Sequence, residues 1–338
     1  MKYYGGIDLH SNNIYLVIID EDDKILYEKR LANDLELILE KLKPYQEKLE
    51  GLVIESTYNW YWLADGLREL GYDVRLANTW AIKVYEGMKH TDDKTDAFWL
   101  AHVYRLGLLP EGYIYPKEKR GLRELLRHRL GLVREQTRRI LTMQSVIVRY
   151  DNVKLTATKL KNSDEEKLLS YVKDEKVKLV VQANYKILEL VMTQISLLEA
   201  EILKELKQDA CFKRLKTVPG IGVILAMTIL LEAGEIKRFE RVGNFSSYCR
   251  CVGSLKVSNA KKKGENNKKN GNAYLSWAFM EAAHHAIRSY PEIQKYHQRQ
   301  LAKKHKMVAF KSVANKLARA TYFVLRDEVE FDMKKLFV

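Results

Sequence analysis

The chain is poor in cysteine and proline and has no long apolar run. Its 338 residues include three cysteines, Cys211, Cys249 and Cys251. Their spacing makes neither a disulfide framework nor a zinc site, so a reducing, cytoplasmic setting is expected. No basic-then-apolar leader opens the sequence. The longest apolar stretch, Val223–Leu231, falls far short of the ~20 residues needed to span a bilayer. No membrane association is expected. All five prolines lie outside residues 117–210, which leaves that stretch free to form long helices.

What is abundant is positive charge, unevenly spread. The formal net charge is +14. Residues 1–100 carry 12 Lys+Arg against 19 Asp+Glu, whereas the remainder carries 46 against 25. An acidic front beside a basic remainder fits a metal site joined to a polyanion-binding surface.

Hydrophobic periodicity divides the chain into three parts: 1–112, 113–210 and 211–338. In the first, Tyr3–Leu9, Ile14–Ile19 and Ile25–Leu31 read as strands of an antiparallel meander, separated by turn-like polar clusters. Helical spacing follows at Leu35, Ile38, Leu39 and Leu42. Leu52–Glu55 then reads as a buried strand, Trp60–Leu70 as a helix, Tyr72–Ala77 as a strand and Asp93–Leu106 as a closing helix. This is the element order of an RNase H-like α/β domain. The second part holds two apolar rows at three-four spacing. One is Leu122, Leu125, Leu126, Leu130 and Val133; the other is Ile187, Leu190, Val191, Ile195, Leu198, Ile202 and Leu206. They predict two long helices, paired antiparallel or across subunits, as an oligomerising coiled coil. Residues 151–178 show no readable pattern. The third part is mainly helical, with an Ala-rich helix from Ala273 to about Ser289 and a basic helical end from Lys303.

Four carboxylates stand at the ends of these elements. Asp8 ends one apolar run and Glu55 another, at the sheet edge where α/β sites form. Asp93 and Asp96 open a helix three residues apart and so share a face. Asp8 taken by itself is an ordinary strand end, and the helical pair is also what the macrodipole favours. Asp92 points about 100° away from Asp93 on a helix and suits an N-terminal role better than a ligand role. Four such carboxylates together are costly to bury unless divalent cations, Mg²⁺ or Mn²⁺, offset the cost.

Two features lie in the basic part. Thr217-Val218-Pro219-Gly220-Ile221-Gly222 before an apolar helix resembles a helix-hairpin-helix turn, in which Gly220 and Gly222 let backbone N–H groups approach a DNA phosphate. A plain turn joining two core helices explains it equally well. Further on, Ser258 sits in a Gly/Asn-punctuated loop with Lys256, Lys261, Lys262, Lys263, Lys268 and Lys269, which can lie along a phosphate backbone. A serine there could be only a phosphate hydrogen-bonding group. As a nucleophile it needs activation, and no histidine is near in sequence.

Gly6-Ile7-Asp8, Ile54-Glu55 and Asp93-Lys94-Thr95-Asp96-Ala97 with Leu100-Ala101 resemble the DEDD-type insertion-sequence transposases, the family of Piv-like DNA invertases and bridge-RNA-guided recombinases. In the basic part the resemblance continues through Val218–Gly222, Glu232–Phe239, Tyr248 and Lys269–Leu275, so it covers nearly the whole length. The chain departs from the family pattern at Gly253, where proline is common, at Asn259, where glycine is common, and at Thr91-Asp92, where Lys-Thr is usual. The resemblance implies a RuvC-like domain whose Asp8, Glu55, Asp93 and Asp96 hold divalent metal. It also implies Ser258 as the nucleophile of a covalent DNA intermediate. Donor and target DNA, a structured noncoding guide RNA, a homo-oligomeric (dimeric or tetrameric) synaptic assembly and a nucleoid location are implied as well. Two other readings compete. A Holliday-junction resolvase would cut with metal-activated water and leave Ser258 incidental, and a non-catalytic nucleic-acid scaffold would show no metal dependence. Actin-like ATPases also end a strand in Gly-Ile-Asp, but of their phosphate-binding loops only Gly5-Gly6 is a weak candidate.

Overall fold

The computed structural model describes residues 1–78, 81–82, 92–253, 256–264 and 270–337. The chain divides into two compact units, Met1–Lys117 and Glu118–Val338.

The first unit is built on a sheet. Strands β1 (Tyr3–Leu9), β2 (Asn13–Ile19) and β3 (Ile25–Ala32) form the expected meander. Helix α1 (Leu35–Leu42) is capped by Asp34, whose carboxylate accepts from the Glu36 and Leu37 amides. Then come β4 (Leu49–Glu55), α2 (Tyr61–Glu69), β5 (Val74–Ala77), α3 (Asp93–Arg105) and a two-residue β6 (Glu111–Gly112). The strand order is 3-2-1-4-5-6. β1 pairs antiparallel with β2 and parallel with β4, and β4 pairs parallel with β5.

Strand alternation sorts the apolar residues between two faces. Ile14, Leu16 and Ile18 of β2 join a core with Ile38, Leu42, Leu63 and Leu67 from α1 and α2. Val17 and Ile19 turn the other way, against Ala97 and Ala101 of α3. The sheet is thus covered on both faces, which explains why β4 reads as a continuous apolar run.

Helix α3 lies unusually close to β1, and Gly6 is the reason it can. A Cβ built there would stand 2.0 Å from the Ala97 carbonyl oxygen and 2.8 Å from the Ala101 nitrogen. Both obstacles are backbone, so the helix itself would have to move. Gly6→Ala is therefore expected to cost about 3 kcal/mol of stability, the upper end for overpacking, and to displace the Asp93 end of α3. Urea unfolding checks this; a midpoint equal to that of the unmutated protein would refute it.

The second unit is helical. Helices α4 (Lys117–Asp151) and α7 (Glu175–Leu206) run antiparallel within the chain, as Arg129 pairing with Glu199 and Arg139 with Asn184 shows. Buried residues recur every seven positions along α7, at Val181, Leu188, Ile195 and Ile202, and on α4 Leu126, Ile140 and Ile147 keep that spacing, with the half-buried Val133 at the position between the first two. Two residues of the predicted row, Ile187 and Leu190, are exposed, and Leu190 is 60% exposed. The row merged two faces of α7, and these residues belong with Val180 and Leu197 on the outer one.

The stretch without readable pattern folds as two single-turn helices, α5 (Ala157–Lys161) and α6 (Glu165–Leu169). They are capped by Thr156 and Asp164. Leu160 and Leu168 bury against Ile147 and Val177, closing the far end of the helix pair.

The remaining elements are α8 (Ala210–Leu215), α9 (Val223–Ala233), α10 (Val242–Tyr248), the hairpin β7 (Lys256–Ser258) and β8 (Lys261–Gly264), α11 (Ala273–Ser289), α12 (Pro291–Leu301), α13 (Lys306–Arg326) and α14 (Met333–Phe337). Helices α9, α11 and α13 share one core through Ala226, Ile229, Phe279, Ala282, Val313 and Leu317. The basic end is helical in two pieces, α13 and α14, rather than continuous. No helix among the described residues is long and apolar enough to cross a membrane.

Candidate active site

Parallel pairing of β1 with β4 sets Ile7 opposite Ile54, so the next residues, Asp8 and Glu55, are neighbours at the carboxyl edge of the sheet. Helix α3 brings Asp93 and Asp96 in its first turn. Asp92 is the N-cap, its carboxylate accepting from the Thr95 amide at 2.7 Å, which leaves Asp93 and Asp96 to face the strand end. All four predicted carboxylates therefore interact.

Asp8 is 3% exposed. Burial pushes the Glu55 carboxyl up to about 8, with further upward contributions from its hydrogen bond to Asp8 and from the charges of Asp8 and Asp96. Asp96 is raised too, first by burial and then by the charges of Asp8, Asp92 and Asp93. Carboxylates that hold one another's protons this way would share a cation readily.

Sequence reasoning missed His10. It follows Asp8 by two residues and so emerges on the same side of the chain, a signal that strand alternation offers. Its Nε2 lies 3.2 Å from Asp8 Oδ2 and 3.3 Å from Asp93 Oδ2. That nitrogen is buried yet makes no aligned hydrogen bond. Asp8, His10 and Asp93 can offer three ligand atoms within 4.8 Å of one another. Arg30, reaching over from β3, donates to Asp93 Oδ2. An imidazole nitrogen set between two carboxylates and aligned for a hydrogen bond with neither suits a divalent cation.

These shifts fix a pH dependence. A carboxyl raised from 4.5 to about 8 in the fold makes the ionised form less favourable there than in the unfolded chain. The metal-free protein should thus lose stability as pH rises from about 4.5 to about 8, and lose no more from this group above that. Divalent-metal binding below pH 8 should release protons and tighten as pH rises. Calorimetric titration in two buffers of different ionisation enthalpy measures the release; identical heats in both would contradict it.

In the second unit, Ser258 is exposed at the end of β7 and pairs with Lys261 across a two-residue turn. Asn259 and Ala260 have φ of +50° and +58°, as a tight hairpin of this length requires. Asn259 thus takes a left-handed conformation of the kind that asparagine tolerates better than most residues. Lys261 and Lys263 are exposed beside it. Lys256 and Lys262 lie on the strands, and Lys268 and Lys269 fall outside the described residues.

Gly220, at φ +78°, packs against α11 so closely that a Cβ would meet the Ala282 carbonyl oxygen at 2.1 Å. Its need for glycine is thereby met by helix packing. Gly222, the N-cap of α9, has open space around it. Both line a groove of about 530 Å³ with Lys216 and His285.

Two families of known proteins match the chain, in two separate segments. A DEDD-type transposase family of the IS110 group matches residues 5–151, and the family described as Transposase IS116/IS110/IS902 matches residues 212–298. The chain carries both domains of an IS110-family transposase. The transposase is 26% identical over 236 residues to a probable family 20 transposase of Pseudomonas aeruginosa, an alignment covering 68% of each chain. The first matched segment contains all four carboxylates and His10; the second contains Ser258 and its lysines. A transposase of the DEDD type implies a divalent metal, and Asp8, His10 and Asp93 supply a donor group for one.

Proposed function

We propose that this transposase breaks and rejoins DNA strands by transesterification, with Ser258 as nucleophile and Asp8, Glu55, Asp93 and Asp96 holding Mg²⁺ or Mn²⁺. The observation that carries this reading is the convergence of the four carboxylates at one sheet edge, with protons pushed onto Glu55 and Asp96. The strand order 3-2-1-4-5, three antiparallel strands continued by parallel ones, supports an RNase H/RuvC-like assignment for residues 1–112. The long-helix segment 113–210 and the serine-bearing segment 211–338 complete the proposed domain scheme.

Ser258 Oγ bonds to the DNA phosphorus as one P–O(sugar) bond breaks, and the departing sugar oxygen leaves as a hydroxyl carrying a proton. A hydroxyl of the partner strand then attacks the phosphoserine, restoring the diester and returning the proton to Ser258. No bond energy is lost to water. A divalent cation bound by the carboxylates supplies Lewis-acid polarisation and charge neutralisation at the phosphate. Lys256, Lys261, Lys262, Lys263, Lys268 and Lys269, with the Gly220 and Gly222 amides, contact nucleic acid. A structured noncoding RNA pairs with donor and target DNA. The outer face of α7, with Val180, Ile187, Leu190 and Leu197 exposed, supports homo-oligomerisation, since a monomer rarely leaves such a stripe uncovered.

The deciding experiment purifies the transposase with the noncoding RNA flanking its gene and incubates it with DNA containing the element ends. Products separated under denaturing conditions should include DNA covalently attached to protein. Free hydrolysed ends without any adduct would replace this reading with metal-activated water, the resolvase chemistry.

A further inference from the structure

Residues 249–272 leave α10 and return to α11, carrying the Ser258 hairpin between them, and their two ends are tied together. The Asn272 N–H donates to the Tyr248 carbonyl oxygen at 2.6 Å. Arg250, at φ +54°, donates from Nε and Nη2 to the Gly271 carbonyl oxygen at 3.1 and 2.8 Å. Gly271 fits only as glycine, at φ +89° with a Cβ position 2.4 Å from the Tyr248 oxygen. Lys311 of α13 holds the Val252 carbonyl at 3.0 Å.

Beneath this neck lies a charge that the chemistry does not use. The Glu232 side chain, on α9, is 0% exposed. Arg127 of α4 grips it with two donors, Nε to Oε1 at 2.6 Å and Nη2 to Oε2 at 2.9 Å. The guanidinium also stands over the Tyr274 ring, 4.9 Å from its centre. Asn272 Nδ2 donates to Glu232 Oε2 at 2.7 Å, while Asn272 Oδ1 caps α11 by accepting from the Tyr274 and Leu275 amides.

A buried ion pair contributes little net stability, because desolvation offsets the attraction; apolar residues of like volume would join α4 to α9 as well or better. What apolar residues cannot do is orient the Asn272 amide. That side chain has one donor group and one acceptor group, and Glu232 and the α11 cap specify one each. With both engaged, the Asn272 backbone N–H is aimed at Tyr248 and the neck is closed.

We propose that Arg127, Glu232 and Asn272 are positioning residues that set the neck of the Ser258 loop, so that attack by Ser258 depends on the long helix α4. This rests on the reading of Ser258 as nucleophile. The full-length protein tests it through three variants. Arg127→Lys keeps the charge and loses the fork. Asn272→Ser keeps the helix cap and the neck N–H but loses the donor to Glu232. Arg127→Met combined with Glu232→Met removes both charges and leaves the packing.

In each variant, DNA binding should stay within about twofold of the unmutated protein, covalent adduct formation should fall at least tenfold, and exchange of the backbone amide at position 272 should quicken at least tenfold. The double variant should melt within a few degrees of the unmutated protein and still be slow. Adduct formation at the unmutated rate in the double variant, or unchanged exchange of the position-272 amide in all three, would reduce the network to a brace and overturn the proposal. If the unmutated protein's adduct maps to a residue other than Ser258, the nucleophile assignment fails instead. Exchange of the position-272 amide then decides the neck separately, with quickening in its favour and no change against it.

Discussion

Asp8→Asn, Glu55→Gln, Asp93→Asn and Asp96→Asn are each expected to lower DNA strand cleavage by about three orders of magnitude or more, the scale of several kcal/mol of lost transition-state stabilisation. Each amide keeps the shape of the side chain and removes the charge that draws in the cation. Folding should survive. In the metal-free protein Glu55 and Asp96 are already held toward their neutral forms by burial and by their neighbours' charges, so removing one charge relieves repulsion, and melting temperatures should stay level or rise. The two measurements belong together. Full cleavage by any one variant removes that residue from the site, and a collapse of melting temperature would mean that the carboxylate is structural.

The second large effect is expected at Ser258. Ser258→Ala should bind RNA, DNA and divalent metal as the unmutated transposase does and form no covalent adduct, while Ser258→Cys retains at most a trace. A serine hydroxyl is a poor nucleophile near neutrality, and the neighbouring lysines offer charge stabilisation but no base. The adduct should therefore also vanish when any of the four carboxylates is replaced. Ser258 ends β7 directly before the Asn259-Ala260 turn and is exposed, a placement from which a hydroxyl can meet a phosphate. Ser254 lies outside the described residues, and Ser254→Ala should cost little. Adducts that persist in Ser258→Ala but vanish in Ser254→Ala would show that the nucleophile has been assigned to the wrong serine.

The carboxylate quartet was legible because each member ends an apolar run or opens a helix, and both are local patterns. Asp92 was separable from Asp93 for the same reason, since a cap and a helix face differ by about 100° in direction. His10 carried a weaker signal, a single alternation from Asp8, and went unread. Gly220 reads equally as an amide facing a phosphate and as a plain turn between core helices, and neither reading names its tightest constraint, Ala282, some sixty positions away. Arg127 and Glu232 are 105 residues apart, and nothing in either neighbourhood announces the other. Residues 151–178 resisted because α5 and α6 are single turns, too short for a period to repeat. Their caps, Thr156 and Asp164, were the only local marks.

The paired helices α4 and α7 also act as a gauge of distance. At 1.5 Å per residue, the 35 residues of α4 extend about 52 Å. One end is seated in the helical core through Leu126 and Ile202, and the other is closed by its own small cluster around Ile147 and Leu160. Between them the packed positions keep a seven-residue spacing on both helices, with the half-buried Val133 filling one step on α4, so seven residues removed from each helix together would restore the same interlock about 10 Å shorter. Reach can therefore change in steps while both ends keep their contacts. Whatever the far end touches can be set nearer or farther without redesigning either.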